Sequence, residues 1–383
     1  MIESTVRYRY RLRPGAQAER ALMDEWDRAR WVWNQAVATL KQTGEWVTDR
    51  ALTAWRKEHD WLAAGSVVAQ QQVLRDFRAK RAKGAGRRKF KSRHKSPPSL
   101  NYTTRGFSLK ESRIRLAGGV SVPVVWSRDL PAAPSSVRVY RDPLGHWYAS
   151  FVVRRADEPA PAADAAIGVD WGVKRVATTT DPGFDLPHTG HGRRAAAALV
   201  KQQRRMARRR PARGHAGSKG YRTAKLAAAK AHRKVARQRQ DTARKWAVRV
   251  VKHHDRIAVE DFQPRFLSRS TMARKAADNA VGMTKSTLIE YAERAGRKVV
   301  LVPPAYTTMT CSGCGSRAKA RLLLSERVFS CPGCGLVEDR DRNAARVVLA
   351  TAGFNRAGAD AVRHPGLPSG QIRVLAEPGI PRL

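Results

Sequence analysis

Residues 311–345 read CSGCGSRAKARLLLSERVFSCPGCGLVEDRDRNAA. The stretch carries two Cys-x-x-Cys hooks, Cys311/Cys314 and Cys331/Cys334, sixteen residues apart, with a run of acids directly after them. Each hook bends back over an ion and offers two thiolates while the connecting hairpin closes the cage, so the spacing suits a tetrahedral Zn2+. Two disulfides are the competing reading, but these are the only four cysteines and they form two short hooks, as in a zinc ribbon. Four thiolates leave no open coordination position. The zinc is therefore expected to hold shape and not to activate water.

Two short apolar runs ahead of this module end in acids, and a third acid follows it. Residues 165–169 form a buried-strand run ending in Asp170, followed by Trp171-Gly172 and a second strand, Arg175 to Thr180. An acid there is held at the rim of a sheet, where a metal could sit, although Asp before Gly is also ordinary turn chemistry. RIAVE at 256–260 ends in Glu260; Asp261 follows, but successive strand side chains point to opposite faces, so only one of the pair can face a given site. Residues 276–295 read as helical, and KVVLV at 298–302 is a further buried strand leading into the cysteine module. Beyond the module, Asp341 precedes Asn343-Ala344-Ala345 and the apolar helix Arg346 to Ala350. That places an acid at a helix start, where capping is its commonplace role.

In the N-terminal half, Val6, Tyr8, Tyr10 and Leu12 alternate with Arg7, Arg9 and Arg11, a strand with one buried and one basic face. Pro14-Gly15 ends it. From about Ala18, Leu22, Trp26, Ala29, Trp33, Val37 and Leu40 recur at helical spacing up to Gly44, with the tryptophans expected in the core. One or two further helices are expected between Asp49 and Lys83. After Ser96-Pro97-Pro98 strands return at 107–109, 114–116, 120–126, 137–141 and 147–153, the last two joined by a hairpin at Asp142–Gly145. A strand, a helical insert and a return to strands point to a small barrel interrupted by helices. Residues 156–164, rich in Pro and Ala, have the composition of a linker, and 353–383 that of a disordered tail.

Charge is the extreme feature of the 383-residue chain: 74 Lys+Arg against 32 Asp+Glu, a net +42. Such a charge resists compaction unless a polyanion neutralises it, so a nucleic-acid partner is expected. Neither a lipidation signal nor a long apolar run supports a membrane partner, and the opening strand leaves no room for a secretory signal. A cytoplasmic location with reduced thiols, at the nucleoid when acting, is expected. Residues 84–95, with Arg87, Arg88, Lys89, Lys91 and Phe90, read as a phosphate-tracking loop. Residues 192–250 are helical and strongly basic, with Arg204, Arg205, Arg208, Arg209 and Arg210 ahead of Pro211 and Asp241 as the only acid from Lys201 to Val250. Uncompensated like charges at i,i+4 destabilise a helix, and a bound polyanion removes that difficulty.

GVDWG at 168–172, VED at 259–261, the two Cys hooks and DRDRNAA at 339–345 resemble, in order and spacing, the RuvC-like nuclease of TnpB proteins, transposon-encoded ancestors of miniature type V CRISPR effectors. RYRLRP at 9–14, ARWVWNQAV at 29–37 and RKFKSRHK at 88–95 resemble the family's N-terminal barrel strand, recognition helix and basic loop. The resemblance covers roughly residues 5 to 350. It implies a multidomain α+β chain with a wedge-type β-barrel (1–20 and 105–155) split by a helical recognition domain (21–104). An RNase H-like RuvC α/β nuclease domain (165–307 and 336–352) follows, with an inserted four-cysteine zinc ribbon for target nucleic acid (308–335). It also implies that Asp170, Glu260 and Asp341 bind catalytic metal, with Asp261 and Asp339 as bystanders.

Two Mg2+ ions about 4 Å apart can drive phosphodiester hydrolysis. Hard carboxylates suit Mg2+ and soft thiolates suit Zn2+, so ligand type separates the two metals. The resemblance further implies a guide RNA from the transposon end and double-stranded target DNA cut beside a short flanking motif, with sequence read mainly by base pairing. A guided binder without cleavage and an unguided RuvC-type recombinase stay open. The three acids argue against the first, and co-purified RNA separates the second.

Overall fold

The computed structural model describes residues 2–79, 88–93, 96–157, 159–212, 215–263, 273–318, 326–354 and 373–374. The chain forms two compact units, one of residues 5–155 and one of residues 1–4 with 156–383.

In the first unit the opening strand β1 (Ile2–Leu12) is followed by α1 (Ala16–Thr43), α2 (Asp49–Glu58), α3 (Asp60–Ala63) and α4 (Val67–Arg78). The strands β2 (Ser99–Thr103), β3 (Phe107–Lys110), β4 (Arg113–Leu116), β5 (Val120–Val125), β6 (Pro134–Arg141) and β7 (Trp147–Asp157) come after them. The order β2-β6-β7-β1-β5-β4-β3 puts the first strand at the centre of a nearly closed barrel whose other strands all lie beyond the helices. β1 behaves as its alternation requires: Tyr10 and Leu12 are buried, and Arg7, Arg9 and Arg11 are exposed. Helix α1 serves two cores. Leu22, Trp26 and Ala29 pack with the barrel strands, whereas Val32, Ala36 and Val37 pack with Leu52, Leu62, Leu74 and Phe77 of the helices. Gly44, at φ 75, ends α1 and returns its N–H to the Leu40 carbonyl at 3.2 Å. β2 lies outside the strands expected from the sequence. It is five residues long, and only Leu100 and Tyr102 are buried.

The second unit is built on a mixed six-stranded sheet in the order β10-β9-β8-β11-β12-β15. Its elements are β8 (Ala166–Trp171), β9 (Arg175–Thr179), β10 (Leu186–Pro187), α5 (His191–Arg208), α6 (Lys219–His253), β11 (Arg256–Glu260), α7 (Ala273–Asn279) and α8 (Val281–Arg294). They continue with β12 (Lys298–Val302), β13 (Val328–Ser330), β14 (Val337–Asp339), α9 (Arg340–Thr351) and β15 (Arg373–Val374). The three central strands β8, β11 and β12 run parallel, with Ile257 opposite both Ile167 and Val299. Buried on both faces, such strands read as continuous apolar runs, which is why VVLV and IAV stand out in the sequence. Ile167, Val169, Ile257, Val259, Val299 and Leu301 meet α6 and α8 through Trp246, Val250, Leu288 and Ala292. Ala258, Val300 and Val302 meet Val348 and Phe354 at the other face.

The single helix expected over 276–295 is two, broken at Ala280 in the left-handed region at φ 51. The linker residues are tied down: Ala163 and Asp164 donate their N–H groups to the Asp255 carboxylate, and Arg297 donates to the carbonyls of Ala160 and Pro161. Most of the tail expected to be disordered lies outside the described residues. Within it Phe354 is buried and Arg373–Val374 pair with β12.

Candidate active site and cysteine cluster

The register of the parallel strands brings two acids together. Val169 stands opposite Val259, so Asp170 and Glu260, one residue further on, end neighbouring strands on the same face. That face is the one α9 covers. Gly168 shares it with Asp170, and a Cβ at Gly168 would lie 2.2 Å from the Ala345 carbonyl oxygen, so glycine lets α9 sit directly on the strand. α9 opens with Arg340 and Asp341 beside the strand ends. Asp339 caps the helix, its Oδ1 accepting the N–H groups of Asp341 and Arg342 at 3.0 Å each. The capping role considered for Asp341 thus belongs to its neighbour. Asp341 keeps its carboxylate free of the cap, with Arg327 and Arg340 each at 3.5 Å.

Electrostatics mark the three acids as one group. Burial raises the Asp170 carboxyl well above its usual range, and the negative charges of Glu260 and Asp341 raise it further. Glu260 is pushed up to about 7, chiefly by burial, against a hydrogen bond from Thr307 Oγ1 to Oε1 at 3.1 Å. Two buried carboxylates with a third, half-buried one beside them are costly without a counter-charge, and their hard oxygens suit a divalent cation. Asp261, beside Glu260, is paired with Lys285.

Residues to which sequence reading gave no role hold this arrangement. Trp171 Nε1 donates to the Glu260 carbonyl at 3.1 Å, tying the two acid-bearing strand ends together. Asp185 accepts two bonds from Arg342, at 3.0 and 2.9 Å, and anchors α9 against β9. Neither Thr307 nor Asp185 has a local signal, since each acts on a residue far away in sequence.

The four cysteines are free thiols whose sulfurs lie within 4.8 Å of one another. Among the described residues, no other group of three or more His, Cys, Asp or Glu ligand atoms converges in this way. Cys311–Cys334 and Cys314–Cys331 are each 3.6 Å apart, close to the ~3.8 Å edge of a tetrahedron with Zn–S about 2.3 Å. Backbone N–H groups of Cys334 and Gly333 hold the Cys331 thiol down to about 6, favouring the thiolate a metal needs. The cluster fits a structural zinc.

The basic candidates divide. Arg204, Arg205, Arg208, Arg209 and Arg210 are exposed, on and just after a helix with no buried residue, and no acid pairs with them among the described residues. Arg87 lies outside the described residues, and Lys89 is exposed. Arg88 is engaged internally: it donates to the carbonyls of Phe77 and Ala79 at 2.6 and 3.1 Å and stacks on the Trp46 ring at 4.4 Å. Lys91 lies 3.8 Å over the Trp33 ring, and burial lowers its pKa to about 8. Neither side chain is a free phosphate contact in this conformation.

Three family models match the chain: "Probable transposase" over residues 150–270, "Cas12f1-like, TNB domain" over 282–348 and "Helix-turn-helix domain" over 1–45. The first two contain Asp170, Glu260, Asp341 and all four cysteines. Residues 2–43 here form one strand and one unbroken helix. The chain is 31% identical to a "Putative RNA-guided DNA endonuclease" of Streptomyces pristinaespiralis, over 98% of each chain. It is 27% identical to the "Putative RNA-guided DNA endonuclease InsQ" of Escherichia coli K12, over 90% of this chain and 91% of that one. Its fold is similar to that of Cas12f1 in a complex with sgRNA and target DNA, at TM-score 0.51 and 12% identity, over 91% of this chain and 98% of the other. No described helix is long and apolar enough to cross a membrane.

Proposed function

Because the chain belongs to the TnpB family of RNA-guided DNA endonucleases, we propose that it is a transposon-encoded member that cuts target DNA with Asp170, Glu260 and Asp341. The observation that carries the assignment is that three acids from three elements lie near enough for Glu260 and Asp341 to raise Asp170, two placed by strand register and one by a helix lying on Gly168. On this reading the second unit contains the RuvC-like nuclease domain (165–307 and 336–352) and the cysteine module (308–335). The barrel (1–20 and 105–155) is the wedge and the helices (21–104) the recognition domain. The protein works in the cytoplasm on a guide RNA from the transposon end and on double-stranded DNA.

Bound Mg2+ would make a hydroxide-like nucleophile available and stabilise charge on the leaving oxygen. The chain's part is to hold the acids where such ions fit. The ends of β8 and β11 fix Asp170 and Glu260, Thr307 orients one oxygen of Glu260, and the Asp339 cap with the Arg342–Asp185 pair fixes the first turn of α9 under Asp341. The exposed arginines of α5 and Lys89 supply backbone contacts to nucleic acid without reading its sequence.

The test is to purify the protein with its RNA, sequence that RNA, and supply Mg2+ with DNA matching the guide. A defined RNA and cleavage next to a fixed flanking motif are expected. Guided binding without any cleavage would replace this reading with a binder, and cleavage without RNA would replace it with a recombinase.

A further inference from the structure

One fully buried side chain joins the cysteine knuckle to the helix that carries Asp341. Asn343 is 0% exposed and uses both ends of its amide: Nδ2 donates to the Thr310 carbonyl at 2.7 Å, and Oδ1 accepts the Ser312 N–H at 2.9 Å. Those two backbone groups flank Cys311, which is itself buried. A carboxamide offers a donor and an acceptor on separate atoms, as these two backbone groups require, and an end left unpaired in the interior is costly.

The two hooks isolate what the Ser312 N–H is for. They make the same turn: Gly315 donates to the Cys311 carbonyl at 3.0 Å and Gly335 to the Cys331 carbonyl at 2.9 Å, with glycine φ of 75 and 74. At the place of Ser312 the second hook has Pro332, which has no N–H. The knuckle therefore closes without a donor at that position, and the donor in the first hook serves Asn343.

We propose that Asn343 is a positioning residue that clamps the first turn of α9 to the Cys311 knuckle, so that the four-thiolate site fixes where Asp341 sits. The catalytic consequence rests on the reading of Asp341 as a ligand of the catalytic metal; the mechanical link does not. Zinc bound by the thiolates would hold Thr310 and Ser312 in place, and Asn343 passes that order to α9.

Hydrogen exchange of residues 340–346, measured on the full chain with zinc bound, after chelation and after re-addition of Zn2+ alone, tests the link. In the parent, removing zinc is expected to speed exchange there about tenfold, as the loss of two buried hydrogen bonds implies, and Zn2+ to restore it. Asn343→Ala cuts the clamp from the helix side. Ser312→Pro cuts it from the knuckle side while giving the first hook the residue its twin already has. Both variants should keep one zinc per chain, exchange fast even with zinc bound, and respond less than about twofold to chelation.

In cleavage, each should lower the maximal rate about tenfold or more with DNA affinity unchanged, and raise the Mg2+ concentration needed for half-maximal rate. The double variant should match the worse single variant, because both remove one interaction. Exchange in α9 that ignores zinc in the parent, or zinc-dependent protection that survives in Asn343→Ala, overturns the clamp. Loss of zinc by Ser312→Pro also overturns it, since the N–H would then serve the knuckle. A parent that cuts no DNA overturns the nuclease reading and leaves the exchange result to decide the clamp.

Discussion

Glu260→Gln should stabilise the protein when magnesium is absent. The Glu260 carboxyl is raised from 4.5 to about 7, chiefly by burial. A carboxyl whose folded pKa exceeds its unfolded value stabilises the fold below the unfolded value and loses that contribution as pH rises through the folded one. Across that window, at about 1.36 kcal/mol per pH unit, ionised Glu260 costs on the order of 3 kcal/mol at pH 8. Gln keeps the shape and the bonding to Thr307 without the charge. Thermal unfolding in magnesium-free buffer, with zinc left in place, should give the variant a Tm roughly 5–10 °C above the parent at pH 8, an advantage that shrinks as pH falls through 7 and is lost below about 4.5. Adding Mg2+ should raise the parent's Tm more than the variant's, since the variant lacks one of the three carboxylates that would hold the ion. A variant less stable than the parent at pH 8, or a parent indifferent to Mg2+, would refute the view of the site as a strained cluster of acids.

Cys331→Ser should lower zinc content and unfold the cysteine module before the rest of the chain, because among the described residues the module's own core is Cys311, Phe329 and Cys331 with Leu336 packed against them. Metal analysis with limited proteolysis reads this, and zinc-free parent protein of unchanged stability would contradict it. Neutralising Arg208, Arg209 and Arg210 together should weaken RNA binding and flatten the dependence of log affinity on log salt by up to about three, one for each lost phosphate contact. An unchanged slope would mean that these side chains face only solvent.

The second unit's sheet was legible because buried parallel strands must be apolar along their whole length. The five-residue runs ending at Asp170, Glu260 and Val302 each became a strand with nearly those bounds. The rest was hidden where distant residues decide the outcome. Nothing in AADNAVGM announces a helix break at Ala280; it comes with Asp278 binding the N–H groups of Gly192 and Arg193, and with Asn279 Nδ2 donating to the Gly172 and Val173 carbonyls. Arg88 and Lys91 look like loop charges in composition, yet the Trp46 and Trp33 rings draw them inward. Within each close pair of acids the resemblance singles out Asp341 and Glu260; what only the fold shows is where their neighbours are engaged, Asp339 on the helix cap and Asp261 on Lys285.

The most direct measurement compares Asp341→Ala with Asp339→Ala in Mg2+-dependent cleavage of guide-matched DNA by the RNA-loaded protein. Asp341→Ala, like Asp170→Ala and Glu260→Ala, should abolish cutting while DNA binding survives, because removing an acid does not loosen a cationic grip on a polyanion. Combining the three should add little, since they act as one unit. Asp339→Ala should cut more slowly but measurably, having lost a cap worth about 1 kcal/mol of helix stability. Normal cutting by Asp341→Ala with none by Asp339→Ala would contradict the assignment of the third acid.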